Sequence, residues 1–141
     1  QIDGVRCFSG DQMSAFLKKI NILVCTVPYT PKTHNLLSEK LFNQLQNPTY
    51  LINVARGKVQ NEADIINAID KGSLTGAFLD VFEKEPLPAS SPLWNNKKIK
   101  ITPHIASVTN AEAGAKQIIE NYKRNLKSET LINEINLEKG Y

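Results

Sequence analysis

The chain has 141 residues, of which 41% are apolar and 22% are charged, and its formal net charge is +3. This length is sufficient for one buried core, and the composition is that of an ordinary soluble domain. These values exclude a disordered tail and a collagen-like chain, and no apolar run approaches the ~20 residues of a membrane span. The basic residues are dispersed, which argues against a nucleic-acid surface. We therefore expect neither a membrane nor a nucleic-acid partner.

The N-terminus and the cysteines bear on completeness and location. The chain begins at Gln1 without a Met or a signal-like segment, so we predict that it starts inside a longer protein. Cys7 and Cys25 are too few for a disulfide framework or a metal site, and we expect no metal. Their scarcity favours a reducing, cytoplasmic compartment.

The N-terminal part of the chain is predicted to form a strand, a helix and a second strand. Val5–Phe8 is a short candidate strand, and Asp11 can cap a helix over Gln12–Lys19. Ile22–Val27 is a nearly continuous apolar run that ends before a proline. Such a run is typical of a parallel strand that is buried on both faces.

The middle of the chain continues to alternate predicted helices with predicted strands. Ser38 can cap a helix that runs through Gln46, and Tyr50–Val54 is the next predicted strand. Asn61 then caps a predicted helix over Glu62–Lys71, which carries an isoleucine stripe at helical spacing. Gly72 is a suitable C-terminal stop for this helix.

The C-terminal part adds two strands and the longest helix. Leu74–Val81 and Lys98–Thr102 are the predicted strands. Thr109 and Glu112 have the spacing of a capping box, which would open a helix that continues to about Lys127. Alternating apolar strands and helices predict an α/β fold with a doubly wound parallel sheet. Ligands of such sheets bind beyond the carboxyl ends of the strands.

Four chemically active side chains follow successive predicted strands. Arg56 follows the second long strand, Asp80 and Glu85 lie at and after the end of the third, and His104 follows the fourth. Each has an ordinary explanation alone: a surface arginine, a loop-capping aspartate, a solvated glutamate and a structural histidine. Their shared placement at one edge of the sheet favours a common site, because the carboxyl ends of parallel strands meet there.

Three stretches around these residues resemble the D-isomer-specific 2-hydroxyacid dehydrogenase family. They are Leu51–Gly57, Gly76–Phe82 with the following Glu85-Pro86, and Thr102–Ile105. Within the family, Leu87–Trp94 and His104–Thr109 are most similar to bacterial glyoxylate/hydroxypyruvate reductases of the A type. The resemblance covers nearly the whole chain and implies a Rossmann-like NAD(P)-binding domain.

The resemblance also indicates what this chain lacks. The family carries Gly-x-Gly-x-x-Gly in the first strand–helix turn, where glycine permits close approach of the pyrophosphate. None of the seven glycines here forms a Gly-x-Gly pair, so the chain resembles the C-terminal half of a member without the first βαβ unit. Residues 1–109 would complete the NAD(P)-binding domain, and residues 110–141 would form a helix and tail that return toward the substrate domain.

The resemblance implies catalytic roles that agree with the chemistry of the side chains. Arg56 would grip the carboxylate and carbonyl oxygens of a small 2-keto acid, because its planar fork matches them. His104 would act as the general acid. Glu85 would bond the other ring nitrogen and keep His104 oriented.

Contacts to the cofactor are implied in the same way. Asp80 would bond the nicotinamide carboxamide, and Pro28 and Thr33 would lie beside the adenosine half. Val54 and Ala55 would line the nicotinamide. The hydride would come from NADP or NAD, and the narrower resemblance favours NADP. The residues that discriminate the two would lie outside this chain.

Two alternatives stay open. Within the family, the parent protein could be a D-lactate or phosphoglycerate dehydrogenase. In another class, it could be an NAD(H)-sensing, corepressor-like protein that retains the same Arg, Glu and His but turns over little substrate. For the isolated chain we expect an inactive fragment that associates through an uncovered sheet edge. The complete parent is expected to be a homodimer, as family members generally are.

Overall fold

The computed structural model of the chain describes residues 3–108 and 110–138. It divides into two compact units, Gln1–His104 and Ile105–Tyr141. The first unit contains a parallel sheet with its helices, and the second contains one long helix followed by turns. None of the helices in the described ranges is both long and apolar enough to cross a membrane.

The four strands of the first unit form one parallel sheet. They are β1 (Ile22–Cys25), β2 (Thr49–Asn53), β3 (Leu74–Leu79) and β4 (Ile99–Ile101), and they lie side by side in chain order. Pairing aligns Cys25 with Asn53, Asn53 with Leu79, and Leu79 with Ile101. All four strands therefore end in one row, and the predicted parallel α/β sheet is confirmed.

Three helices belong to this unit: α1 (Met13–Leu17), α2 (Glu39–Phe42) and α3 (Glu62–Lys71). α3 has the predicted bounds. The Asn61 side chain accepts a hydrogen bond from the Asp64 amide, and Gly72 ends the helix with a φ of +84°. A left-handed residue at this position favours glycine, because a Cβ would be strained there.

The core lies between the sheet and these helices. Its fully buried large side chains come from the helices, the strands and the intervening loops. They include Leu17, Leu37, Phe42, Leu51, Val59, Ile65, Ile69, Leu74, Leu79 and Leu93. This continuous apolar packing fixes the sheet against α3, and so fixes the loops that leave the strand ends.

Two predictions for the N-terminal part were wrong. Val5–Phe8 is not a strand: it is mostly exposed and pairs with no strand in the described chain. An extended segment without a neighbour cannot complete a hydrogen-bond ladder. The helical region starts earlier than predicted, because Ser9 rather than Asp11 caps a 3₁₀ turn over Gly10–Gln12 that leads into α1.

The prediction that the first apolar run is buried on both faces was also wrong. β1 alternates exposed and buried residues, with Ile22 60% and Val24 53% exposed. β1 is an edge strand, and nothing in the described chain covers the face that carries these two side chains. Apolar content alone therefore overstated its burial.

Several elements are shorter than their patterns indicated. α2 stops at Phe42 rather than near Gln46, and β3 stops at Leu79. In the second unit, α4 (Ala111–Leu126) matches the predicted long helix. Its N-cap is Asn110, whose side chain accepts from the Ala113 amide, whereas the predicted cap, Thr109, lies outside the described residues.

Candidate active site

The candidate site lies along the row where the strands end. Arg56 follows β2 by three residues, Asp80 directly follows β3, and His104 follows β4 by three residues. Glu85 lies in the loop after β3. Because the strands are parallel and end in register, these four residues emerge at the same edge, as predicted.

Arg56 lies in a loop that packs against the segment around Phe82. Its backbone is extended, its side chain is exposed, and its Nη1 donates to the Ala55 carbonyl at 2.7 Å. The next residue, Gly57, packs directly on another loop, since a Cβ built there would lie 1.7 Å from the Phe82 carbonyl oxygen. Only glycine permits this approach, and it fixes the Arg56 loop beside the segment that leads to Glu85.

Glu85 and His104 form the central pair of the site. His104 Nδ1 lies 2.8 Å from Glu85 Oε2, and the Phe82 amide donates to Glu85 Oε1 at 2.9 Å. Partial burial by itself raises the pKa of Glu85, but the hydrogen bonds from His104 and Phe82 outweigh this effect and hold the pKa below its ordinary value. The carboxylate is therefore charged near neutral pH and orients the imidazole through Nδ1.

The backbone of His104 has an uncommon conformation. Its φ is +55°, and its amide donates to the Thr102 carbonyl at 3.1 Å. Positive φ is uncommon for residues other than glycine, although histidine adopts it more often than most, and such residues cluster at functional sites. Here the turn brings the imidazole back to Glu85, and the side chain stays about half exposed.

A mainly apolar cleft of about 680 Å³ adjoins this pair. Besides Glu85 and His104 it is lined by Phe82, Pro86, Leu87, Trp94, Ile101 and Pro103. Trp94 is 51% exposed, and its indole nitrogen donates to the Pro88 carbonyl at 2.9 Å. The indole is thereby held as a wall of the cleft.

Asp80 and Thr33, two of the predicted cofactor-binding residues, make defined contacts. Asp80 is 1% exposed and accepts a short hydrogen bond from the Thr102 hydroxyl. Thr33 donates from its hydroxyl to the Pro28 carbonyl at 2.8 Å and exchanges hydrogen bonds with Thr30, which orders the loop after β1. This loop and Asp80 leave strands β1 and β3 at the same edge of the sheet.

Val54 and Ala55, the other predicted cofactor contacts, continue directly from β2. The Val54 amide donates to the Cys25 carbonyl at 3.3 Å, and the Ala55 amide donates to Asn53 Oδ1 at 3.0 Å. Val54 is partly buried and Ala55 is buried. Their backbone therefore forms part of the floor of the strand-end edge.

Two buried polar residues near the site, Asn53 and Gln60, were not predicted from the sequence. Both are fully buried, and Asn53 Nδ2 donates to Gln60 Oε1 at 2.7 Å. A polar residue inside the otherwise apolar run Leu51–Val54 was the available signal, because a buried amide requires partners. In the described ranges no cluster of three His, Cys, Asp or Glu residues could hold a metal ion.

Taken together, an in-register parallel sheet with a site beyond its carboxyl ends defines a Rossmann-like nucleotide-binding domain. The chain belongs to the family of the D-isomer specific 2-hydroxyacid dehydrogenase, NAD binding domain, which matches residues 4–106. The predicted family is thereby confirmed.

Similar proteins define the relationship more closely. The chain is 42% identical to a glyoxylate/hydroxypyruvate reductase A of Photorhabdus laumondii subsp. laumondii, over 100% of this chain and 45% of the relative. A D-isomer specific 2-hydroxyacid dehydrogenase of Xanthobacter autotrophicus Py2, solved with NADPH and MES, has a TM-score of 0.94 at 39% identity, covering 100% of this chain and 59% of that chain. An NADPH-dependent glyoxylate/hydroxypyruvate reductase of Sinorhizobium meliloti, solved with NADP and sulfate, has a TM-score of 0.92 at 34% identity, covering 100% and 46%. The chain thus spans about half the length of these relatives.

Proposed function

We propose that the protein to which this chain belongs reduces a small 2-keto acid, glyoxylate or hydroxypyruvate, to the corresponding 2-hydroxy acid with NADPH. The observation that carries this proposal is the Glu85–His104 pair, joined at 2.8 Å beside the Arg56 loop at the aligned strand ends. The relationship to reductases of this class, one of them solved with NADP, supports the substrate class and the cofactor.

His104 is proposed as the proton donor. Reduction places two electrons on the carbonyl carbon as a hydride, and the carbonyl oxygen then needs one proton. With Nδ1 held by Glu85, His104 can present a protonated Nε2 to that oxygen. The Glu85 carboxylate, bonded to Nδ1, fixes the orientation of the ring during the transfer. The proton is recovered from water after the product leaves.

Arg56 is proposed to bind the carboxylate of the keto acid. Its guanidinium makes no ion pair within the described part of the chain, so the positive charge is available to a ligand. A planar guanidinium can bond a carboxylate oxygen and the adjacent carbonyl oxygen together. This contact would orient the carbonyl toward His104 and polarise it.

The residues present fit the nicotinamide half of the cofactor. Asp80 supplies a buried carboxylate, an acceptor suited to a carboxamide NH₂, and the Val54–Ala55 backbone lies at the same edge. NADPH, when bound, would supply the hydride. The chain has no Gly-x-Gly turn, so we propose that residues outside this chain hold the pyrophosphate, with Pro28 and Thr33 beside the adenosine half.

The test is NADPH oxidation with glyoxylate and with hydroxypyruvate, measured on the protein as its gene encodes it. We expect His104→Gln to lower kcat by at least about a hundredfold, within the usual range for a general acid. His34→Gln, which changes the other histidine, should leave kcat unchanged. Arg56→Gln should raise KM for the keto acid and lower kcat, because it removes both carboxylate binding and carbonyl polarisation. Lys97→Gln removes the same charge before β4, at the opposite end of the sheet, and should change neither.

The same assay decides between a reductase and a nucleotide sensor. A protein that binds NADPH in a fluorescence titration, oxidises none with either keto acid, and reduces no NADP⁺ with D-lactate or 3-phosphoglycerate would overturn the proposal. Intact mass, measured first, distinguishes a 15.7 kDa chain from a longer protein. An inactive 15.7 kDa chain would agree with our expectation for the isolated fragment.

A further inference from the structure

A buried hydrogen-bond chain runs from the Arg56 loop to the Glu85–His104 pair. It begins where the Ala55 amide donates to Asn53 Oδ1 at 3.0 Å. Asn53 Nδ2 then donates to Gln60 Oε1 at 2.7 Å, and Gln60 Nε2 donates to the Val81 carbonyl at 2.9 Å. Asn53 and Gln60 are both 0% exposed, so water does not compete for these bonds.

The hydrogen-bond chain continues through a single peptide group. The Val81 carbonyl and the Phe82 amide are the two polar ends of one planar peptide. Gln60 Nε2 donates to the oxygen of this peptide, and the N–H of the same peptide donates to Glu85 Oε1 at 2.9 Å. The rotation of this peptide therefore determines whether its N–H points at Glu85, and the Gln60 amide holds that rotation.

At its other end, the hydrogen-bond chain reaches the backbone next to Arg56, the predicted carboxylate-binding residue. Asn53 holds the amide of Ala55, and Arg56 Nη1 returns to the Ala55 carbonyl at 2.7 Å. Gly57 meanwhile packs against the Phe82 carbonyl. The Arg56 loop and the Glu85 segment are thus joined twice, once by backbone contact and once by the two amide side chains.

We propose that Asn53 and Gln60 are positioning residues, which hold the Arg56 loop and the Glu85–His104 pair at a fixed spacing through this buried hydrogen-bond chain. The inference rests on the proposed function and adds two residues to it that touch no reacting atom. A carboxylate-binding group and a proton donor on different loops must keep their spacing within a fraction of an ångström. A fully satisfied buried network is rigid enough to do this.

The test compares two buried polar side chains of similar burial. Gln60→Met keeps the length of the side chain but removes both its donor and its acceptor. Thr49→Val is the matched control, because Thr49 is also 0% exposed and hydrogen-bonded, but lies at the opposite end of β2. Both variants should lose stability, measured by urea denaturation, and only Gln60→Met should change the site.

Two readouts separate positioning from general stability. In Gln60→Met, kcat for the keto acid should fall about tenfold to a hundredfold, the loss expected from misplacement by about 1 Å, while KM for NADPH stays the same. The pKa of Glu85, followed by its carboxyl ¹³C signal, should rise, because the Phe82 N–H is no longer held toward it. Thr49→Val should leave both values at those of the wild type.

The inference is overturned if Gln60→Met leaves kcat and the Glu85 titration unchanged, or if Thr49→Val changes them equally. If Gln60→Met does not fold, Asn53→Ser decides, because its hydroxyl is too short to bridge to Gln60; a wild-type Glu85 titration in that variant counts against the inference. A wild-type protein that reduces no keto acid would refute the proposed function, and the Glu85 titration would still decide whether Gln60 positions the pair.

Discussion

Two helices with similar apolar stripes lie in opposite environments in the two units of the chain. In α3, Ile65 is 0% and Ile69 is 2% exposed, whereas in α4 no residue is buried. On α4, Ile118, Ile119 and Tyr122 are each more than half exposed. Amphipathic spacing thus predicts that a segment forms a helix, but burial of the stripe depends on what packs against it.

The two units also differ in whether they contain residues of the candidate site. Every described residue of the candidate site lies in the first unit, where loops are anchored by a buried core and by the Asn53–Gln60 bonds. The hydrogen bonds described in the second unit are mainly local, such as Arg124 with Glu120, four residues apart. Precise placement of chemical groups requires buried packing around them, so the first unit is where substitutions should matter most.

The largest expected effect contrasts equivalent isoleucines on the two helices. Ile65→Ala should lower the free energy of unfolding by about 2–5 kcal/mol, because it leaves a cavity in a close-packed core. Ile119→Ala removes the same atoms from an exposed face and should change the free energy of unfolding by less than about 0.5 kcal/mol. Urea denaturation measures both, and an equal loss in the two variants would show that another part of the protein covers α4.

Two glycines, Gly57 in the first unit and Gly114 in the second, should respond to alanine substitution in opposite directions. Gly57→Ala should cost about 1–3 kcal/mol and reduce kcat, because the new Cβ would overlap the Phe82 carbonyl and displace the Arg56 loop. Gly114→Ala, in α4, meets nothing within 4 Å and should stabilise by up to about 1 kcal/mol through higher helix propensity. Thermal denaturation measures both effects, and a Tm that shifts in the same direction in both variants would contradict this contrast.

The smallest expected effect concerns pH. Because the pKa of Glu85 is lowered in the folded protein, its contribution to stability is complete above the ordinary glutamate pKa and is lost as pH falls through the lower folded value. His104→Phe should raise the pKa of Glu85 toward its ordinary value and reduce this loss. For Glu62, burial raises the pKa by more than the hydrogen bond from the Glu83 amide lowers it, so Glu62 should titrate above the ordinary glutamate pKa, whereas Glu85 should titrate below it. Carboxyl ¹³C titration resolves the two.

Local signals in the sequence determined much of the fold. The bounds of α3 follow from an isoleucine stripe between an asparagine cap and a glycine stop, and each of these acts within a few residues. Alternation of apolar strands with helices predicted the parallel sheet, and its strand ends placed Arg56, Asp80, Glu85 and His104 at one edge. The family motifs then added roles for these residues, which stay predictions.

Other features depended on contacts between distant parts of the chain, and only the tertiary structure decided them. The pattern of β1 did not indicate that Ile22 and Val24 lie on an uncovered face, because exposure depends on neighbours. Nothing local linked Gln60 to the Val81 carbonyl, 21 residues away, or Gly57 to the Phe82 carbonyl. Sequence periodicity reports on the environment along one element, whereas the spacing between the loops of the candidate site is set where separate elements pack together.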